Sequence, residues 1–357
     1  MIDNMYVHYR LERTGLTECL FLRKPFFYFL VLIALVCMTP YSFAHSPLGS
    51  GDNESLATAT VISDPTKSWA IYAELHEGGE AQYYRFDIDE GQKIHVMLFK
   101  PTDQELADFL PGFVLMGPGL TEQGEHPDYV EEPSGVEHQV FEGTQASKAT
   151  YEPFSPSAFY SLAEADLQAP MTGTYYVVVY ESSRGGRYGL AIGDIESYTL
   201  NEWILIPISL LSVYQWAGPS LAVVLAPLIV VLVVGIVLII WLRKRMAKPA
   251  SRLNWLGVLA GLLFVGTAMI VLMQMVLSLF QTGLVSEVAV TIIFMIIPLV
   301  LGLATLRLSL KATDEIRFRT RIYFVILGLV ALFLWAGLLI GPVLAVIAGL
   351  LPKRLLL

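Results

Sequence analysis

The side chains best suited to chemistry in this sequence are histidines that follow the first 44 residues: His45, His76, His95, His126 and His138. A cut after Ala44 would make His45 the N-terminal residue. Its α-amine and Nδ1 would then form a bidentate pair suited to Cu(II), with a second imidazole supplied by one of the other four histidines. The alternative is an ordinary, exposed N-terminal histidine.

A second set of soft ligands lies in an apolar stretch, where Met269 and Met273 stand one helical turn apart. Thioethers favour copper, and the pair is similar to the methionine relays of copper transporters. The histidine start is similar to periplasmic copper carriers and copper monooxygenases. Both features make copper a candidate cofactor. Methionine is equally an ordinary gap-filling or lipid-facing residue, so the apolar interpretation stays open.

Other chemistry has weaker support in the sequence. Calcium could bind at Asp52-Asn53-Glu54 or at 87–90, but neither stretch has the spacing of a dedicated calcium loop. Hydrolase and phosphate-binding motifs are missing. The two cysteines, Cys19 and Cys37, both precede residue 45, so a mature chain starting there has neither a disulfide nor a thiol nucleophile. No enzymatic activity is expected.

The N-terminal 44 residues have the three parts of an export signal. Arg23-Lys24 precede an apolar run over 26–37, and Ser42-Phe43-Ala44 provides small residues at positions −3 and −1 of a cut. Twelve apolar residues span only about 18 Å as a helix, which is short of the ~30 Å hydrocarbon core. Residues 1–44 are therefore predicted to be a signal peptide, with an uncleaved anchor as the alternative.

The C-terminal part is apolar enough for about four membrane spans, predicted at 221–242, 253–280, 288–306 and 322–351 after an interfacial segment at 201–220. Basic residues follow the first and third spans, which places those ends in the cytoplasm. The sequence thus predicts a multi-pass plasma-membrane protein with residues 45–202 on the extracytoplasmic side. A break at Gly341-Pro342, which would turn the last span into a re-entrant hairpin, is the alternative.

The outer region, 45–200, is acidic and predicted to be an all-β sandwich. Residues 45–202 carry 26 acidic and 7 basic side chains, whereas the chain from 203 onward carries 3 and 12. Such acidity disfavours a nucleic-acid partner. Strands rich in aromatic and β-branched residues are predicted at 67–75, 81–88, 93–99, 174–180 and 187–192. The last two are expected to form a hairpin across 182–186. The fold class is therefore a sandwich followed by an all-α transmembrane bundle.

Two stretches carry a family resemblance. Residues 81–99 (AQYYRFDIDEGQKIHVMLF) resemble the opening of the bacterial pre-peptidase C-terminal domain, and GTYYVVVY at 173–180 with GRYGL at 186–190 resembles its closing strands. The family usually has Asp where Gln82 stands, and the segment 101–170 is longer than in the family. The resemblance implies an accessory binding or stabilising β-sandwich rather than a catalyst, and it transfers no ligand residue.

The segment 101–170 contains an aromatic run, from which Tyr151, Phe154, Phe159 and Tyr160 are the candidate ligand-binding residues. Loops on a rigid scaffold are where recognition usually lies. The run could also rest on the membrane surface beside Trp203. The alternative is an insertion that packs over the sheet and closes its edge.

Small residues recur at four-residue steps on the second predicted span (Gly257, Gly261) and on the fourth (Gly337, Gly341, Ala345, Gly349). Such stripes let helices approach closely, either within the bundle or against another membrane subunit or a second copy. The lipid bilayer is the one certain neighbour of the spans. Two main hypotheses remain: a binding or scaffold protein whose sandwich contacts a ligand, polymer or partner, and a subunit of a copper-handling membrane system. A copper oxygenase is a third.

Overall fold

The computed structural model describes residues 46–49, 51–245, 254–310 and 318–351. The predicted signal peptide, both cysteines and His45 lie outside the described residues. The expectations that rest on them, including an N-terminal copper ligand, stay predictions. The β-rich region and the helices belong to one compact unit.

The β-rich region consists of two sheets, ordered β1-β3-β11-β5-β9-β8 and β2-β4-β10-β6-β7. Its strands are β1 Ser46–Leu48, β2 Thr60–Val61, β3 Trp69–Leu75, β4 Glu80–Ile88, β5 Lys93–Pro101, β6 Gly112–Gly117, β7 Glu137–Phe141, β8 Thr150–Glu152, β9 Ser157–Gln168, β10 Gly173–Glu181 and β11 Gly186–Ile192. β1 and β2 run parallel to their neighbours β3 and β4, and every other pair of named strands is antiparallel.

The predicted hairpin over 174–192 is wrong. β10 pairs with β4 and β6, whereas β11 pairs with β3 and β5 in the other sheet. The connection at 182–185 therefore passes from one sheet to the other, as the turn after β4 also does. A glycine-rich turn between two strands marks a reversal of direction, but it does not reveal whether the strands share a sheet. The strand positions themselves were predicted to within two residues.

The two sheets pack face to face over one apolar core. Side chains from β3, β5, β9 and β11 of the first sheet meet side chains from β4, β6 and β10 of the second. The core includes a polar pair, since the hydroxyls of Tyr84 and Tyr188 lie 2.6 Å apart and the Tyr188 hydroxyl donates to Gln82 Oε1. Because each of these buried polar groups has a hydrogen-bond partner, its burial does not destabilise the core. The segment 101–170 forms β6, β7, β8 and β9, so it is part of both sheets rather than an insertion that packs over one of them.

The described residues that follow contain six α-helices: α1 Leu200–Trp216, α2 Leu221–Arg245, α3 Trp255–Thr282, α4 Val288–Leu310, α5 Phe318–Phe333 and α6 Ile340–Leu350. Among the described residues, α2, α3 and α4 are long and apolar enough to cross a membrane. The chain is therefore a membrane protein. α2 buries little of itself in the protein, and its exposed side is lined with valine and leucine, as expected of a helix facing lipid.

Helix α1, which covers most of the predicted interfacial segment, is held by the β-region at both ends. At its start, Thr199 and Glu202 form a capping box, and Glu202 also accepts from Lys67 Nζ at 2.7 Å. At its end, the Arg187 guanidinium donates to the carbonyl oxygen of Trp216 at 2.6 Å. Since both ends contact the sandwich, α1 lies along it rather than leading away from it.

A single fourth span over 322–351 is not formed. The chain turns at residues 334–339, where Trp335, Gly337, Leu338 and Leu339 have φ between 51° and 82°. This left-handed stretch cannot continue an α-helix, so α5 and α6 form a helical hairpin. The Arg321 side chain, near the start of α5, donates to carbonyl oxygens at the end of α6, so the two helices are antiparallel. The alternative prediction placed a break at Gly341-Pro342, and the observed break lies just before that position.

The small-residue stripes are used inside the chain. A Cβ on Gly261 would lie 3.1 Å from the carbonyl oxygen of Gly302, and one on Gly257 would lie 2.4 Å from Ser309 Oγ. On the hairpin, Gly341 packs on Phe264 and Gly349 on the backbone of Arg321. The prediction that these faces could dock another subunit is therefore corrected. Close packing between helices of the same chain already occupies these small-residue faces.

We expect Gly302→Val to disrupt the contact between α3 and α4. Its new side chain would lie 2.8 Å from the carbonyl oxygen of Gly261, and backbone cannot move aside as a flexible side chain can. Overpacking of this kind costs roughly 1–3 kcal/mol or more, so thermal unfolding in detergent should begin several degrees lower. Leu303→Val, at the neighbouring exposed position of the same helix, is the control. Equal melting temperatures for the two variants would contradict the assigned packing.

Candidate functional site

A cavity of about 80 Å³ lies between the sandwich and the helices. The sandwich supplies one wall and α1 the opposite one, while the hairpin turn contributes Trp335. Most of the lining is aromatic or aliphatic: Tyr72, Met97, Phe99, Glu152, Phe154, Ser155, Ser157, Phe159, Tyr198, Ile206, Ser209, Leu210, Val213, Trp216 and Trp335. The lining, apolar with few polar groups, is that of a small-molecule site, and the volume limits an occupant to a molecule of a few heavy atoms.

The aromatic run predicted as a binding segment reaches this junction, though its members take different places. Phe154 and Phe159 line the cavity. Tyr151 is buried, and its hydroxyl lies 2.8 Å from that of Thr291 on α4. Tyr160 lies on β9 opposite Lys100 and does not line the cavity. The run therefore joins the sandwich to the helices and forms part of the cavity wall.

Glu152 is the only carboxyl among the described residues that line the cavity. Burial among apolar side chains raises the pKa of Glu152 from 4.5 to about 7, and the negative charge of Glu196 adds to this effect. The backbone N–H of Phe154, which donates to Glu152 Oε1 at 3.0 Å, opposes the rise in pKa but does not cancel it. The cavity thus contains one acid that gains or loses its proton near neutral pH.

Two tyrosines add hydrogen-bonding hydroxyls to the apolar wall. Burial raises the pKa of Tyr72, and the charge of Glu152 raises it further. Burial also raises the pKa of Tyr198, helped by the nearby carboxylates of Glu196 and Glu152. Both phenols therefore stay neutral at physiological pH and can donate or accept a hydrogen bond.

A series of ring contacts connects the cavity to the hairpin turn. The ring centroid of Phe154 lies 5.0 Å from that of Phe294 on α4, and the Phe294 ring stacks on Trp335 with centroids 5.7 Å apart. Trp335 in turn contacts Trp203 of α1 at 4.6 Å. Both indole N–H groups donate across this contact. Trp335 Nε1 donates to the carbonyl oxygen of Trp203, and Trp203 Nε1 donates to the carbonyl oxygen of Phe333. The cavity wall and the hairpin turn are thus one packed aromatic layer.

The histidines predicted as metal ligands fall into three places. His126 and His138 lie together with Glu132, whereas His76 lies beside Glu54 and Glu80, and His95 lies beside Glu164 and Asp166. The structure therefore unites only one pair of imidazoles among the described residues.

The remaining predicted ligands are not brought together as one set. Met269 and Met273 are half-buried in an apolar groove between α2 and α3, and no described histidine lines this groove. Asn53 is buried and donates to the carbonyl oxygen of Tyr83, while Asp87 accepts from the hydroxyl of Thr174. These stretches are engaged in the fold, and the described residues show no calcium loop there.

The comparisons with known proteins find similarity among solved structures only. No protein-family model matches the chain, and no curated protein sequence matches it. Among solved structures, the pre-peptidase C-terminal domain of a collagenase from Bacillus anthracis matches with 15% identity and a TM-score of 0.21. The match covers 37% of this chain and 91% of that one. The chain thus shows a weak resemblance to that domain.

Residue-by-residue reading of the sequence missed the carboxyl of the cavity. Glu152 stands inside the aromatic run, between Tyr151 and Phe154, and an acid flanked by aromatic residues was the available signal. It was hidden by the abundance of carboxylates in so acidic a region. The part of the wall supplied by α1 and the hairpin turn had no signal, because apolar helix residues all resemble one another in sequence.

Proposed function

We propose that this protein is a non-enzymatic, multi-pass binding protein of the plasma membrane, with its sandwich on the extracytoplasmic side. The ligand site is the cavity at the junction of sandwich and helices. The observation that carries this proposal is an aromatic-lined cavity with a single carboxyl, Glu152, whose pKa is raised to about 7.

The orientation is supported by the distribution of basic residues. Residues 243–245, Arg307, Arg319 and Arg321 are all at the helix ends remote from the sandwich. Gly257 at the start of α3 packs on Ser309 at the end of α4, whereas Thr291 at the start of α4 bonds to Tyr151 of the sandwich. The positive-inside rule assigns the basic end to the cytoplasm and hence the sandwich to the outside.

The chemistry of the cavity defines the class of ligand. Phenyl and indole rings favour a compact apolar body, and the carboxylate favours a cationic or hydrogen-bond-donating head. A bound ammonium would compensate the charge that burial otherwise disfavours, so binding would lower the pKa of Glu152. We therefore assign a small apolar amine as the ligand class.

The test compares propylamine, 1-propanol and propionate at pH 8, where Glu152 is ionised. Binding to the full chain in detergent is measured by isothermal titration calorimetry and by the rise in melting temperature. We expect propylamine to bind more tightly than 1-propanol, and propionate to bind least, because the three compounds differ mainly in the charge presented to the carboxylate.

Two variants complete the experiment. Glu152→Gln should remove the advantage of propylamine over 1-propanol, by a factor of about 10 if the charge-assisted bond contributes about 1.5 kcal/mol. Ser157→Leu, which fills the cavity from β9, should weaken both. Equal affinities of the three compounds for the unmodified chain would contradict the proposed ligand class. Unchanged binding to Ser157→Leu would contradict the assigned site.

A further inference from the structure

The cluster formed by His126, Glu132 and His138 lies apart from the cavity, on the loop between β6 and β7 and at the start of β7. The carboxylate of Glu132 lies beside both imidazoles: His138 Nδ1 lies 3.1 Å from Oε1, and His126 Nε2 lies 3.6 Å from Oε2. The rings meet edge to face with their centroids 4.8 Å apart. The set thus presents two nitrogens and a carboxylate to one point.

The outer nitrogens of both rings are held by backbone carbonyl oxygens. His126 Nδ1 lies 3.1 Å from the carbonyl oxygen of Pro127, and His138 Nε2 lies 3.3 Å from that of Gly124. A carbonyl oxygen only accepts, so each of these nitrogens carries the hydrogen. In the neutral rings, the inner nitrogens His126 Nε2 and His138 Nδ1 therefore direct lone pairs at Glu132.

Three acceptors facing one another repel unless a positive charge lies between them. A proton on a ring nitrogen is one solution, and a metal ion coordinated by all three is the other. The outer hydrogen bonds are those that metal-bound imidazoles normally make, because they fix the tautomer and the orientation of the ring. Two imidazoles and one carboxylate form a ligand set found in zinc proteins.

The surrounding loop holds this geometry in place. Val130 is buried, and its backbone N–H donates to the carbonyl oxygen of Pro127, which closes a turn after His126. The N–H of Glu131 donates to the hydroxyl of Tyr83 at 2.7 Å and so fixes the backbone before Glu132. Gly124 has a φ of 84° and packs on Val140, which positions the carbonyl oxygen that receives His138. A ligand set supported on both sides is already organised for binding.

Size and access also fit a metal ion. The three ligand atoms lie within 4.8 Å of one another, and Zn–N bonds of about 2.0–2.1 Å require separations of about 3.3 Å, so small side-chain rotations close the set. The side chains of His126 and His138 are 15% and 10% exposed, whereas that of Glu132 is 35% exposed. The open side at Glu132 gives solvent access and leaves room for a water as fourth ligand.

The other two histidine clusters fit less well. Each has one imidazole, and His76 is 74% exposed beside a Glu80 already bonded to the His76 backbone. Asp166 beside His95 binds Lys93 Nζ at 3.1 Å, so a cation is already present there. We infer that His126, Glu132 and His138 form a site for one divalent transition-metal ion, zinc in particular, on the outer face of the sandwich.

The experiment uses the full chain in detergent, purified without a polyhistidine tag and stripped with chelator. Zn²⁺ is titrated at pH 7.5 by calorimetry, and Co²⁺ serves as a spectroscopic probe, since tetrahedral coordination by nitrogen and oxygen gives visible absorption. We expect one equivalent to bind with a rise in melting temperature. Loss of outer-shell partners alone costs 10–100-fold in metal affinity, so His126→Gln and Glu132→Gln should each weaken it about 100-fold or more.

His76→Gln is the matched control, because it removes one imidazole from an exposed cluster and should leave the affinity unchanged. Glu132→Gln keeps the shape of a half-exposed side chain, so it tests the site even if a histidine variant fails to fold. Absence of Zn²⁺ binding by the unmodified chain would overturn the proposal and leave a protonated ion pair as the solution. The proposal would equally fail if Glu132→Gln and His126→Gln bound as tightly as the unmodified chain, or if His76→Gln lost the site.

Discussion

Replacement of Trp216 by alanine will separate α1 from the sandwich. The Trp216 ring packs edge to face on Tyr72 at 5.0 Å and on Phe99 at 5.6 Å, and its Nε1 donates to the carbonyl oxygen of Tyr188 at 2.9 Å. Truncation of a buried tryptophan costs about 3–5 kcal/mol and here leaves a carbonyl without its donor. We expect the lowest melting temperature of the variants considered, together with new protease cleavage in the 217–220 connection that follows Trp216.

The control for this prediction is Trp241→Ala. Trp241 lies on α2 with half of its surface exposed, in a groove lined by valine and leucine. Its removal changes the same side chain on a face that meets lipid or detergent, so stability should change little. Equal effects of the two tryptophan substitutions would mean that Trp216 does not anchor α1, and the cavity wall that it forms would have to be reassigned.

The second large effect is a dependence of stability on pH that is removed by Glu152→Gln. The folded state raises the pKa of Glu152, so it binds the proton more tightly than the unfolded chain does. Stability is therefore fully present below pH 4.5 and falls as pH rises to about 7. A pKa displaced from 4.5 to about 7 corresponds to at most about 3 kcal/mol for this partly exposed group.

The measurement is the difference in melting temperature between the unmodified chain and Glu152→Gln from pH 4.5 to 8. Using the difference cancels the other titrating groups that the two chains share. The unmodified chain should lose several degrees relative to the variant over this range, whereas Glu90→Gln, in the exposed turn after β4, should follow the unmodified chain. Parallel curves for the unmodified chain and Glu152→Gln would show that burial does not perturb this carboxyl.

Much of the architecture follows from local patterns. Strands β3, β4, β5, β10 and β11 combine aromatic and β-branched residues between glycine turns, and α2, α3 and α4 consist of long apolar runs, so these elements were predicted from the sequence. The other six described strands were not predicted. Which strands lie next to one another in the sheets was not predicted. Whether 182–185 connects strands of one sheet or two depends on contacts that the turn residues do not encode.

The candidate sites show the same division. Phe154 and Phe159 were predicted as binding residues, and they line the cavity, but Tyr151 serves the junction with α4 instead. Glu152 could be recognised only after burial had set it apart from the many exposed acids. The meeting of His126 with His138 required the loop to fold back over β7, which spacing along the chain does not predict.

The hairpin turn also imposes an order on assembly. The hydrogen bonds between Trp203 and residues 333–335 join positions 130 and 132 residues apart, so they form only after α2 to α5 are in place. Closing a loop of this length costs conformational entropy before the contacts form, which slows folding. Until the α5–α6 hairpin is in place, Trp203 of α1 lacks these partners, and exposed apolar surface promotes aggregation. The junction between the sandwich and the helices is therefore incomplete without this hairpin.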